Sequence, residues 1–105
     1  MNENKLAMEV KEILDDIYKL FSHKNETYKT SEDDLANFTK GALLLGHKPN
    51  QEGRFEALKS YVAKHISKVY NEGLSGSKMD ESIMDIAVYF ILAKVMHERM
   101  LEESK

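Results

Sequence analysis

The chain has 105 residues, of which 42% are apolar and 31% charged, and its net charge at pH 7 is -3. This length predicts one domain over residues 1–105, and the composition excludes a disordered chain. Scattered basic residues argue against a nucleic-acid partner, and the absence of cysteine excludes disulfides and thiolate chemistry. The first ten residues lack a secretion signal and no apolar run is long enough to span a bilayer, so we expect a cytoplasmic protein without a membrane partner.

Four segments with apolar residues at helical spacing predict an all-α, four-helix fold without strands. The first covers residues 4–23 and carries a single apolar stripe: Leu6, Val10, Ile13, Leu14, Ile17, Leu20 and Phe21. Residues 23–30 are polar, which predicts a connection. The second segment, 31–46, opens with Ser31 and Asp34 in the spacing of a capping box and ends at Gly46. The third and fourth segments cover residues 54–72 and 79–103.

The fourth segment contains the most apolar part of the sequence. Residues 83–93 are apolar on every side of the predicted helix except at Asp85. A helix of this kind is normally covered on several faces, and a chain this short has few helices to cover it. We therefore expect a second copy of the chain to complete the fold.

Asp85 and Glu81, one turn apart on this helix, are the candidates for a functional site. A buried carboxylate is costly without a cation, and a second acid at this spacing adds repulsion. In one interpretation the cation is Mg²⁺, which binds carboxylate oxygens and completes its shell with waters and substrate phosphates. In the other, Lys64 or Lys68 forms a buried salt bridge with Asp85. Glu81 alone also fits a solvated acid in the first turn of a helix.

His65 lies within the apolar stripe of the third segment and has two interpretations. It is either a hydrogen-bonded interior histidine or, if the third and fourth segments pack with these faces together, a partner of the two acids. Lys64 and Lys68 lie one turn apart beside it. They are either solvated flanking residues or ligands for phosphate oxygens.

Four short motifs, in order along the chain, resemble a known family. They are Lys-Asn-x-x-Tyr at 24–28, an acid followed by Asn-Phe at 33–38, Lys-x-x-x-Lys at 64–68 and Glu-Ser-x-x-Asp-x-Ala-x-Tyr at 81–89. Together they resemble the nucleotide-modification-associated branch of the MazG-like nucleoside triphosphate pyrophosphohydrolases, a group of small, mostly phage-encoded, all-α proteins.

The resemblance implies a homodimer or homotetramer that binds Mg²⁺ through carboxylates and cleaves a nucleoside triphosphate to monophosphate and pyrophosphate. It implies that Glu81 and Asp85 are the catalytic residues and metal ligands, and we expect Asp34 to be a further metal ligand. The residues implied to bind the nucleotide are Lys24, Tyr28, Asn37, Lys64 and Lys68.

The third segment lacks the Glu-x-x-Glu pair that the full enzymes carry one helix before this acidic motif, so two functions stay open. One is a Mg²⁺-dependent nucleotide pyrophosphohydrolase or a nucleotide-binding relative. The other is a non-catalytic phage helical protein that acts by self-association or by binding a host protein. Further carboxylates converging on Glu81 and Asp85 would favour the first, whereas lysines alone would indicate a structural ion-pair cluster.

Overall fold

A computed structural model describes residues 2–28 and 32–105, without the side chains of residues 2, 3, 24, 25, 27 and 28. Over these residues the chain forms four α-helices and no strand: α1 (Asn2–Tyr28), α2 (Ala36–Leu44), α3 (Gln51–Glu72) and α4 (Met79–Glu103). The all-α prediction is confirmed for this part of the chain. None of the described helices is both long and apolar enough to cross a membrane.

Two helices are longer than predicted. α1 continues to Tyr28 through the stretch predicted to be a connection, because no glycine or proline interrupts residues 23–28. α3 begins at Gln51 rather than at residue 54, because Asn50 caps it. The Asn50 side chain accepts a hydrogen bond from the Gly53 amide at 2.8 Å, which satisfies one of the free N–H groups at the helix start.

α2 is shorter than the predicted helix over 31–46, and the proposed cap Ser31 lies outside the described residues. The Asp33 carboxylate accepts hydrogen bonds from the Leu35 amide at 2.8 Å and from the Thr39 hydroxyl at 2.6 Å. This turn keeps the backbone out of the helix until Ala36. At its other end α2 stops at Leu44, two residues before the predicted end at Gly46, whose φ of +83° is one that a residue with a Cβ rarely adopts.

The packing of α3 against α4 forms the centre of the fold, and α2 packs mainly on α3. Five residues make up the buried core: Leu35, Phe38, Leu58, Val62 and Met96. α1 makes a smaller contact, with α4. The buried core is thus shared by α2, α3 and α4, and α1 packs on α4 outside it.

The α4 surface is only partly covered, in contrast to the expectation of cover on several faces. Val88 and Met96 are buried, but Ile83, Phe90 and Ile91 are 42%, 50% and 47% exposed. The described residues of one chain therefore leave large apolar side chains of this helix in contact with water. Completion of the fold by a second copy stays a prediction.

The close approach of α2 and α3 at Gly41 can be tested by substitution. A Cβ at this position would lie 2.9 Å from the Ala57 Cβ and would collide with the Tyr61 hydroxyl. We expect Gly41→Ala to lower the free energy of unfolding by about 1–3 kcal/mol through overpacking, despite the higher helix propensity of alanine. Urea denaturation measures this effect. The matched control Lys40→Ala, at an exposed position of the same helix, should change stability by no more than about 0.5 kcal/mol. A Gly41→Ala variant as stable as the parent would contradict this contact.

Candidate functional site

The candidate site centres on a contact between α3 and α4. The Nε2 atom of His65 lies 3.5 Å from the Oδ2 atom of Asp85, and the two side chains are 17% and 20% exposed. On α3, the residue that contacts Asp85 is therefore the histidine. This agrees with the interpretation in which the third and fourth segments pack with these faces together. We call the contact the His65–Asp85 pair.

Aromatic rings connect the His65–Asp85 pair to α2. The Tyr89 ring centroid lies 6.3 Å from that of His65, 6.5 Å from that of Tyr61 and 6.3 Å from that of Phe38. The Tyr61 hydroxyl donates a hydrogen bond of 3.2 Å to the backbone carbonyl of Asn37. Asn37, one of the expected nucleotide-binding residues, is thus held beside the ring cluster at the start of α2.

Glu81 lies one turn before Asp85 on the same face of α4 and is exposed. It belongs to the first turn of the helix together with Asp80, where the helix dipole stabilises negative charge. The two acids expected to bind metal therefore differ in environment. The Glu81 carboxylate is in contact with water, and that of Asp85 lies largely within the interface of α3 and α4.

The two lysines implied to bind the nucleotide flank His65 on the facing turn of α3. Lys64 is exposed. The Lys68 ammonium donates to both carboxylate oxygens of Glu72, at 3.0 and 3.2 Å. Pairs of this kind at helix surfaces contribute little stability, so a phosphate could displace Glu72 at small cost. The α3 turn thus presents the exposed ammonium group of Lys64 and that of Lys68, which Glu72 holds weakly.

Asp34 is held by Arg99, a residue that belongs to none of the sequence motifs. Both of its oxygens accept hydrogen bonds from Arg99 of α4, at 2.8 and 3.0 Å. These hydrogen bonds are the main reason why the pKa of Asp34 is lowered and that of Arg99 raised. Arg99 is fourteen residues beyond Asp85 on α4, about 21 Å along the helix axis, so the structure does not bring Asp34 beside Glu81 and Asp85.

The donor set for a metal ion is small. Within residues 2–28 and 32–105, no group of three or more His, Asp or Glu side chains is arranged to hold a metal ion. Mg²⁺ is commonly bound by one or two carboxylates together with waters and substrate phosphates. Glu81 and Asp85 could hold Mg²⁺ only together with waters and a phosphate-bearing ligand. The side chains of Lys24 and Tyr28 lie outside the described residues.

The Asp34–Arg99 pair should contribute pH-dependent stability. Because the two side chains are 55% and 44% exposed, we expect a coupling energy of about 0.5–1 kcal/mol at neutral pH. The folded-state pKa of Asp34 is lower than its ordinary value of 3.8, so the stabilisation is present above that value. It is lost as the pH falls through the folded-state pKa.

A double-mutant cycle with Asp34→Asn and Arg99→Gln, measured by urea denaturation at neutral and acidic pH, tests this expectation. Glu102→Gln is the control, because Glu102 pairs with Lys105 at the exposed end of the chain. A coupling energy that persists after Asp34 is protonated would contradict the assignment.

Two facing helical turns thus carry the candidate site, residues 64–68 of α3 and residues 81–85 of α4, and the His65–Asp85 pair joins them. No protein-family model, curated protein or solved structure matches this chain.

Proposed function

We propose that this chain is a MazG-like, Mg²⁺-dependent nucleotide-binding protein that acts on nucleoside triphosphates at the turn containing Glu81 and Asp85. One observation carries the proposal: the His65–Asp85 pair brings the acidic turn of α4 against the turn of α3 that bears Lys64 and Lys68. A metal–nucleotide complex needs carboxylates for its cation and cations for its phosphates. Both kinds of group occur on these two turns.

Each group has a separate role in the proposal. Glu81 and Asp85 hold Mg²⁺, which would neutralise negative charge that develops on the phosphates during cleavage to monophosphate and pyrophosphate. Lys64 and Lys68 bind phosphate oxygens. His65 holds the Asp85 carboxylate in place and is a positioning residue.

The roles of Lys24, Tyr28 and Asn37 as nucleotide contacts rest on the resemblance of their motifs to the MazG-like family. The same holds for a phage-encoded protein. Assembly as a homodimer or homotetramer rests on the resemblance together with the apolar character of residues 83–93, and a cytoplasmic location stays an expectation from the sequence. Asp34 is left out of the proposed site, because its partner Arg99 lies near the opposite end of α4 from Glu81 and Asp85. Binding of Mg²⁺ with nucleotide is the minimal form of the proposal, and pyrophosphate release is its catalytic form.

A second candidate is a non-catalytic helical protein that acts by self-association or by binding a host protein. Two observations favour it. Asp34 is paired with Arg99, so among the described residues the acids expected to bind metal at the site are reduced to Glu81 and Asp85. Several large apolar side chains of α1 and α4 are also exposed. The two candidates differ in whether nucleotide stabilises the fold.

The decisive substitution is Asp85→Asn. With Mg²⁺ and nucleotide at a hundred times the dissociation constant, the parent should gain about 2.7 kcal/mol of stability, seen as a higher Tm. We expect Asp85→Asn to lose this gain, because the amide carries no charge to hold the cation. In the absence of ligand, the variant should stay within about 1 kcal/mol of the parent, since an amide can still bond His65 and repulsion from Glu81 disappears.

Asp80→Asn is the matched control for this experiment. Asp80 is exposed in the first turn of α4, and its separation of five residues from Asp85 places it on a different face of the helix. This variant should keep the Tm shift. The assay uses a panel of nucleoside triphosphates with Mg²⁺ and measures pyrophosphate release in the same samples. If no nucleotide shifts the Tm of the parent and Asp85→Asn is strongly destabilised, the His65–Asp85 pair is structural and the second candidate is favoured.

A further inference from the structure

A cleft lies between the first two turns of α3 and the second half of α4. Its volume is about 610 Å³, within the range of about 300–1,000 Å³ that is usual for small-molecule sites. Phe55 of α3 and Phe90 of α4 line it from the two sides, together with Met96 and Met100. None of the residues on the two turns of the candidate site lines it. We call this space the α3–α4 cleft.

Gln51, one of the residues that line the α3–α4 cleft, holds a buried hydrogen-bond acceptor without a partner. The residue is 6% exposed, and its side-chain amide donates a hydrogen bond of 3.0 Å to Glu103. Because a carboxylate can only accept, this bond fixes the amide nitrogen toward Glu103 and the Oε1 atom away from it. Oε1 has no donor among the described residues. A buried acceptor in this state is costly, so a donor group brought to it is favoured.

The charges around the α3–α4 cleft favour a cation over an anion. Glu56 pairs with Lys59 at 2.8 Å and Lys94 pairs with Glu98 at 3.3 Å, so the charges of these side chains offset each other. Glu52 lines the cleft from the first turn of α3 and forms no ion pair with a described residue. With histidine neutral, Glu52 leaves the lining with one uncompensated negative charge.

We propose that the α3–α4 cleft binds a small aromatic molecule that carries a protonated amine. Phe55 and Phe90 contact the ring of the ligand, and methionine sulfur also packs favourably on aromatic rings. The ammonium group can only donate, so it bonds Gln51 Oε1 and lies near Glu52, the next residue of α3. A modest turn about the terminal torsion of Gln51, which has a broad energy minimum, brings Oε1 to the cleft surface. This proposal does not depend on nucleotide binding.

Tryptamine and indole-3-propionate test the proposal, because they share a ring and a chain length but carry an ammonium group and a carboxylate. The protein contains no tryptophan, so indole fluorescence excited beyond the absorption of tyrosine reports the probe alone. The anisotropy of tryptamine should rise as the parent is added, since the bound probe tumbles with the protein. Indole-3-propionate should bind at least about tenfold more weakly, because its carboxylate is repelled by Glu52 and has no proton to donate to Gln51.

Substitutions separate the acceptor from the apolar wall. Gln51→Met keeps the length of the side chain and removes the acceptor, and Phe90→Ala removes a ring that is already 50% exposed. Each should weaken tryptamine binding by about tenfold. Leu101→Ala is the matched control, because Leu101 is also 50% exposed on α4 but does not line the cleft, and this variant should bind like the parent. Circular dichroism shows whether each variant keeps its fold.

Glu52→Gln tests the charge without touching a buried residue, since Glu52 is exposed. It should reduce the preference for tryptamine over indole-3-propionate, whether or not Gln51→Met folds. A parent that binds neither probe would overturn the proposal and leave the cleft to another occupant, such as a polypeptide. Equal affinity for the two probes, or unchanged tryptamine binding by a folded Gln51→Met variant, would also overturn it. These titrations contain no Mg²⁺ or nucleotide, so their outcome is independent of the Asp85→Asn experiment.

Discussion

The antiparallel packing of α3 against α4 is the constraint on which the other contacts depend. Polar contacts lie at both ends of this interface: the His65–Asp85 pair at one, and at the other a hydrogen bond of 3.0 Å from the Gln51 side-chain amide to Glu103. Leu58 is fully buried in the core that α3 and α4 share with α2. Apolar burial supplies the energy, about 1.5–3 kcal/mol for a side chain of this size, and the polar contacts fix which residues lie opposite each other.

α4 links the proposed site to the rest of the molecule. One side of this helix packs on α3, Arg99 pairs with Asp34 in the turn before α2, and the side that includes Val88 meets α1. The acidic turn with Glu81 and Asp85 lies near the start of this same helix. A change in the packing of α4 would therefore alter the distance between the acidic turn and the lysine-bearing turn of α3. In the proposed function, α4 thus positions the two carboxylates and also carries exposed apolar side chains such as Phe90 and Ile91.

The sequence predicts those features of this fold that depend on local chemistry. The bounds of α4 follow from apolar periodicity, and the end of α2 two residues before Gly46 follows from glycine's access to positive φ. The possible meeting of His65 with Asp85 could be foreseen, because each is a polar residue on an otherwise apolar helix face. The late start of α2 does not follow from the capping-box spacing of Ser31 and Asp34. It results from the side-chain hydrogen bonds of Asp33, which hold the turn that precedes Ala36. No local pattern pairs Asp34 with Arg99, which is 65 residues away.

α1 is one continuous helix in which residues 4–16 are exposed and Ile17 is buried, and this has a consequence for its local stability. Unfolding from the N-terminus breaks helical hydrogen bonds but disrupts no packing within the described chain until it reaches Ile17. Opening free energies are small where backbone groups are solvated and few apolar contacts are lost. In a monomer, amide hydrogen exchange should therefore slow progressively along α1, from fast near its start to slow beyond Ile17. Any molecule that covers the first half of the helix would be seen as protection appearing there, with little change in α3.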